Sequence, residues 1–111
     1  MAAKNASALP QAALELLILR AVANEPLHGY GIVLRLHQTS DELLRVEEGS
    51  LYPALHRLEQ EGLLRSEWQA SETNRRARYY RLTAQGRRRL VEQQANWERL
   101  AEGVARVLRF A

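Results

Sequence analysis

GSLYPALHRLEQEGLL, residues 49–64, is the stretch on which the reading of the whole 111-residue chain turns. Leu51, Ala54, Leu55 and Leu58 stand at i, i+3, i+4 and i+7, which puts them on one stripe of an α-helix. Ser50 is the expected N-cap, Pro53 falls in the first turn where a missing N–H is harmless, and Gly62 is the expected stop. With the apolar stripe turned inward, a rotation of about 100° per residue sends Pro53, His56, Arg57 and Gln60 outward, with Tyr52 on the edge. That outer face is polar and partly basic.

Toward the N-terminus, Leu14, Leu17, Ile18, Ala21 and Val22 repeat the helical spacing and predict a helix over 10–23, stopped ahead of Pro26. A second helix is predicted over 29–39, with Tyr30, Val33, Leu34 and His37 on its inner side and Leu36 adjoining. A connector, 41–49, follows; a first strand of any sheet is expected from it, around 44–47. Toward the C-terminus the period changes to two. Leu64, Ser66 and Trp68 alternate with Arg65, Glu67 and Gln69, which suits a strand with one buried side. After a polar loop over 70–77, Arg78, Tyr80 and Leu82 alternate with Tyr79 and Arg81. Two strands joined by a basic loop directly after a third helix make a wing. The predicted fold is therefore mainly α with a small β-hairpin wing (α+β): a winged helix-turn-helix over 1–82.

Thr83 caps a last helix over 83–111, on which Leu90, Trp97, Leu100, Ala101, Val104, Val107 and Leu108 form an apolar stripe. At roughly 1.5 Å per residue this helix is about 40 Å long, too long to lie wholly on a domain of its neighbours' size. Its stripe needs a partner. The economical one is the same helix of a second subunit, which makes 83–111 a dimerisation helix; folding back on its own domain is the alternative.

Length and composition narrow the function. One domain plus an appendage is the limit for a chain of this size. With no cysteine, thiolate metal sites, disulfides and cysteine nucleophiles are excluded. His28, His37 and His56 have no accompanying ligand pattern, so neither a metal nor another cofactor is expected. No nucleophile with a base, paired acids or phosphate loop is visible, so the chain does not read as an enzyme. Without a signal-like leader or an apolar run of about 20 residues, a soluble, cytoplasmic protein with no membrane partner is expected. The net charge of +3 matters less than its distribution. Residues 75–89 hold seven of the 16 basic residues and no acid, leaving nine bases against 13 acids elsewhere. Confined arginines suit a phosphate backbone, because clustered cations release counterions on binding; the alternative is a solvated face.

Double-stranded DNA is accordingly the expected partner. Ser50, Tyr52 and the amides opening the third helix are candidates for phosphate, His56 and Arg57 for base edges or phosphates, with Pro53 and Gln60 on the same face. His28 and Tyr30 are candidate backbone contacts, although Tyr30 and Tyr80 suit core or sheet packing better. Arg75 and Arg76, at the wing tip, are candidates for a narrow minor groove. Arg87, Arg88 and Arg89 oppose the dipole of the helix they open. Trp97, on the presumed dimer helix, either packs in the interface or, with its symmetry mate, stacks a small flat aromatic effector. A winged helix used as a protein-interaction adaptor without DNA-binding activity is the rival reading, and it calls for an exposed apolar patch where the arginines stand.

LHGYGI at 27–32, VEEGSLYPALHRLEQEGLL at 46–64 and RYYRLTAQGRRRL at 78–90 together resemble the PadR family of winged helix-turn-helix transcriptional regulators. The resemblance runs from Leu9 onward in the family's order and spacing. The single C-terminal helix is similar to the compact branch of that family. It implies repression of nearby genes by a homodimer bound to operator DNA, dimerisation through the last helix, and release by a small ligand or stress signal. The wing sequence SETNRRA, 71–77, carries no part of the resemblance.

Overall fold

In a computed structural model, which describes residues 7–110, the elements follow the order β1 (Ser7–Ala8), α1 (Gln11–Ala21), β2 (Leu27–His28), α2 (Gly29–Thr39), β3 (Leu44–Arg45), α3 (Glu48–Gln60), β4 (Leu64–Ala70), β5 (Arg76–Leu82) and α4 (Ala84–Arg109). The predicted winged helix is present: three helices, a hairpin and a long final helix. One core joins them. Leu14, Ile18, Leu19 and Val22 of the first helical segment meet Ile32 and Leu36 of α2, the stripe Leu51, Ala54, Leu55 and Leu58 of α3, and Leu63, Leu64, Tyr80 and Leu90. Burying a leucine or isoleucine side chain contributes about 1.5–3 kcal/mol, so the seven large side chains that are fully buried dominate stability.

Three expectations are corrected. The inner side of α2 is Gly29, Ile32 and Leu36, and Tyr30 is 64% exposed. The cause is Gly29: a Cβ there would come within 2.7 Å of the Tyr52 hydroxyl. Because α2 approaches the Tyr52 ring at that glycine, its contact line runs i, i+3, i+7 from residue 29 and leaves Tyr30 about 100° away. His37 and Val33 are only partly buried.

The third strand of the wing sheet comes from β2, ahead of α2. Leu27 and His28 pair antiparallel with Tyr80 and Tyr79 on the free edge of β5, giving the order β2-β5-β4. The connector does supply a short strand, β3, but it pairs parallel with β1 instead, Leu44 opposite Ser7 and Arg45 opposite Ala8.

The third correction concerns the start of α3. The first helical turn closes from the Leu51 N–H to the Glu47 carbonyl at 2.9 Å, so Glu47 is the N-cap and both Ser50 and Pro53 lie inside the helix. Proline there removes the bond to the Gly49 carbonyl and crowds it. The helix tolerates this because both residues sit on the exposed side of its first turns. Gly62, at φ +78°, ends the segment in the left-handed region, and the Leu63 N–H returns to the Leu58 carbonyl at 3.0 Å.

At the root of α4 the Thr83 hydroxyl oxygen accepts the Gly86 N–H at 2.9 Å and donates to the Gly62 carbonyl at 2.7 Å. Gly86 is buried, and a Cβ on it would fall 2.1 Å from the Leu63 carbonyl oxygen. The first two turns of α4, through Leu90, therefore belong to the winged-helix core. Beyond Leu90 no described residue of α4 is buried. No helix of the described residues is long and apolar enough to cross a membrane.

Candidate nucleic-acid interface

A half-open groove of about 970 Å³ lies between the wing and the start of α2, with Tyr52 of α3 among its lining residues. Strand alternation explains its chemistry. Leu64, Ser66 and Trp68 of β4 share one face with their cross-strand partners Leu82, Tyr80 and Arg78, and Arg76 follows on the same face. At the base of the hairpin this face is core, with Leu64 and Tyr80 buried. Farther out the hairpin overhangs the helices, and the same face becomes the groove wall. Trp68, expected to be buried, is consequently 54% exposed and carries two guanidiniums, Arg76 at 5.6 Å and Arg78 at 5.7 Å from the ring centroid. Burial pushes the Tyr80 hydroxyl above its usual range, the nearby Arg78 partly offsetting this.

Opposite stands the start of α2. His28 is its N-cap: Nδ1 accepts the Gly31 N–H at 2.9 Å, which puts the ring proton on Nε2, and the ring meets Tyr79 edge-on at 5.1 Å. His28 thus serves the fold as well as lining the groove. Tyr30 also lines it, exposed. Of the two groove acids on the helical and loop sides, Glu25 is neutralised by Arg35 at 2.7 Å, and Glu72 lies in the hairpin turn.

On α3 the outward face is as the helical rotation predicts: Tyr52, Pro53, His56 and Gln60 are exposed, and Ser50 lies on the first turn. Arg57 is held differently. Its Nε and one terminal nitrogen both reach Glu15 Oε2 of α1 at 3.0 Å, and the side chain is about one-third exposed. The arginine stripe of 75–89 is likewise not a free cationic band, because the fold brings acids to it from elsewhere. Arg78 donates to Ser66 Oγ at 2.7 Å and lies 3.5 Å from Glu59; Arg81 pairs with Glu67 at 3.3 Å and Arg89 with Glu61 at 3.6 Å. Arg87 donates to the Ala23 carbonyl at 3.2 Å. Arg75, Arg76 and Arg88 have no ion-pair partner among the described residues, and the first two sit at the groove.

Along α4, Trp97, Leu100, Ala101, Val104, Val107 and Leu108 are all exposed, Trp97 to 49%. Leu90, assigned to the same stripe from sequence, is buried in its own subunit at 5% exposure, because the second turn of α4 is still part of the domain's core. Among the described residues no cluster of three histidine, aspartate or glutamate side chains could hold a metal ion. Trp68 is the groove residue the sequence reasoning passed over; its position opposite Arg78 in the hairpin register is the signal that finds it.

Comparison with known proteins agrees with this geometry. Residues 18–92 match the family model described as the transcriptional regulator PadR-like family. The chain is 40% identical over 94 residues to the transcriptional regulator Rv3488 of Mycobacterium tuberculosis, covering 85% of this chain and 84% of that one. Among solved structures, a PadR family transcriptional regulator from Eggerthella lenta superposes with a TM-score of 0.73 at 37% identity, covering 88% of this chain and 83% of its own. A transcriptional regulator from Clostridium thermocellum gives 0.78 at 28% identity, covering 86% and 93%. The chain belongs to the PadR-like family and is, with it, a transcriptional regulator and not an enzyme.

Proposed function

We propose that this regulator binds duplex operator DNA as a homodimer and represses transcription, in the cytoplasm, until a small aromatic effector or a stress signal releases it. The carrying observation is the groove: unpaired Arg75 and Arg76 on the wing face the capped start of α2, beside the exposed polar side of α3. This is the arrangement in which α3 enters the major groove, the start of α2 meets the backbone and the wing reaches the neighbouring minor groove. Ser50, Tyr52, Pro53, His56 and Gln60 are the α3 residues assigned to DNA, the N-cap His28 and Tyr30 those at the start of α2, and Arg57 reads a base only if it leaves Glu15. The DNA-binding unit extends past the 1–82 read from sequence to include α4 through Leu90, and the exposed remainder of the 83–111 helix is the dimerisation segment. The dimer accounts for the exposed stripe from Trp97 to Leu108, which a lone chain would leave in water. In the dimer the paired Trp97 rings flank the effector. The groove also exposes Tyr30, Tyr52 and Trp68, which an adaptor could use, and Arg75 and Arg76 among them are what favours a polyanion over an apolar partner.

The test is a gel-shift and footprinting series on DNA upstream of the gene itself. Expected are a protected site with half-sites about 10 base pairs or a multiple apart, and affinity falling steeply with salt. A monomer in sedimentation, or no preference for any promoter fragment at moderate salt, would overturn the proposal.

A further inference from the structure

Within the DNA-binding reading, on which this rests, one arginine without a polar partner among the described residues stands over an aromatic face instead. Arg78 is fixed from several sides: Ser66 Oγ receives its Nε, Ser66 in turn donates to Glu59 Oε2 of α3 at 2.6 Å, and the Trp68 ring lies beneath its guanidinium. Arg76 has no hydrogen bond or ion pair among the described residues; the Trp68 face is what it rests on. The indole is 54% exposed, with Arg78 directly across the hairpin and Arg76 and Tyr80 on the diagonals. Stacking restrains a long side chain that otherwise loses rotamer freedom on binding, and it leaves all the guanidinium N–H donors free at the edge.

We propose that Trp68 is a positioning residue for phosphate: its indole holds Arg76 over the groove, with Arg78 as a fixed bracket beside it, so that Arg76 meets one phosphate of the sugar-phosphate strand lying between wing and α2. Trp68 itself need not touch DNA. The assignment makes the wing a preformed clamp, its geometry tied through Glu59, Ser66 and Arg78 to the recognition helix.

The experiment measures Kd for a labelled non-specific duplex by fluorescence anisotropy, with the full-length protein, across about 50–200 mM salt. Trp68→Ala should weaken binding about 3- to 10-fold and flatten the salt slope by up to about 0.9, the equivalent of one phosphate contact. Trp68→Phe, which keeps an aromatic face, should recover most of the loss. In an Arg76→Ala background Trp68→Ala should cost less than about 2-fold, because the group it positions is gone. Trp68→Ala binding like the unaltered protein at every salt, an equal loss in both backgrounds, or no recovery by phenylalanine would each refute the positioning role. Failure of the unaltered protein to bind any duplex would instead refute the DNA-binding reading beneath it.

Discussion

Replacing Gly86 by alanine adds one methyl group at the point where α4 is seated on the rest of the domain. The added Cβ would lie 2.1 Å from the Leu63 carbonyl oxygen, 3.0 Å from the Leu63 carbonyl carbon and 2.8 Å from a Leu82 methyl. Leucine 82 can turn aside, but the carbonyl cannot: it accepts the Thr83 N–H at 3.2 Å, in the turn where the Thr83 hydroxyl binds Gly62. Overpacking a core costs about 1–3 kcal/mol, and a clash with backbone belongs at the upper end. Alanine returns about 1 kcal/mol of helix propensity, leaving a net loss of about 2 kcal/mol. For a domain of this size that is a fall in Tm of roughly 8–15 °C. Thermal denaturation followed by circular dichroism, at fixed protein concentration because a dimer's Tm depends on it, is the assay. Gly49→Ala is the control: nothing lies within 4 Å of its Cβ, so it should be neutral or stabilising. Gly86→Ala melting within about 2 °C of the unaltered protein would refute the claim that α4 is seated this tightly.

Further perturbations test other joints. Arg75→Ala should weaken binding to all duplex sequences alike and reduce the salt slope by about 0.9, read by anisotropy at several salt concentrations. Glu15→Ala should lower stability by no more than about 1 kcal/mol in urea, since the pair with Arg57 is partly exposed, and should change sequence preference in footprinting if the freed arginine reaches a base. Leu100→Asp with Val104→Asp should convert a dimer to a monomer in sedimentation without lowering the α1–α3 core's helicity; an unchanged dimer would exclude this face of α4. Tyr80 gives a pH prediction. Burial raises its folded pKa above the unfolded value, so the stability it contributes is intact below about pH 10 and is lost as pH rises through the folded value. Tyr80→Phe should flatten the alkaline limb of a stability-against-pH curve, and an unchanged limb would contradict the assignment.

Helix existence and the α3 core stripe were legible in the sequence because spacing alone specifies them: Leu51, Ala54, Leu55 and Leu58 are all buried. The wing was legible for the same reason, with period two on both strands. What escaped were outcomes decided between elements. The inner side of α2 was misassigned because the close approach at Gly29 is set by a tyrosine 23 positions away, which no local period reveals. Trp68 was assigned to the correct face of its strand and the wrong environment, since alternation tells which side a residue takes but not where the underlying core ends. Most consequentially, the arginine run reads as free charge in one dimension. Glu59, Glu61 and Glu67, which neutralise three of its members, stand before it in the chain and reach it only through the hairpin and the return of α4.

That neutralisation changes how the candidate DNA surface works. A band of seven free guanidiniums would attract any polyanion, whereas with three paired and one bonded to a carbonyl only Arg75, Arg76 and Arg88 are left to act, Arg76 braced by an indole. Exposed pairs such as Arg81 with Glu67 add little stability, on the order of 0–1 kcal/mol, so their consequence is geometric. Arg78 illustrates it. Bound at once to Ser66 of β4, Glu59 of α3 and the Trp68 ring, it ties the hairpin to the helix that carries Tyr52, His56 and Gln60. The same helix ends at Gly62, whose carbonyl receives the Thr83 hydroxyl that caps α4. α3, the wing and the root of α4 therefore meet within one short run, 59–66, and a methyl at position 86 would press on the Leu63 carbonyl and the Leu82 side chain at that junction.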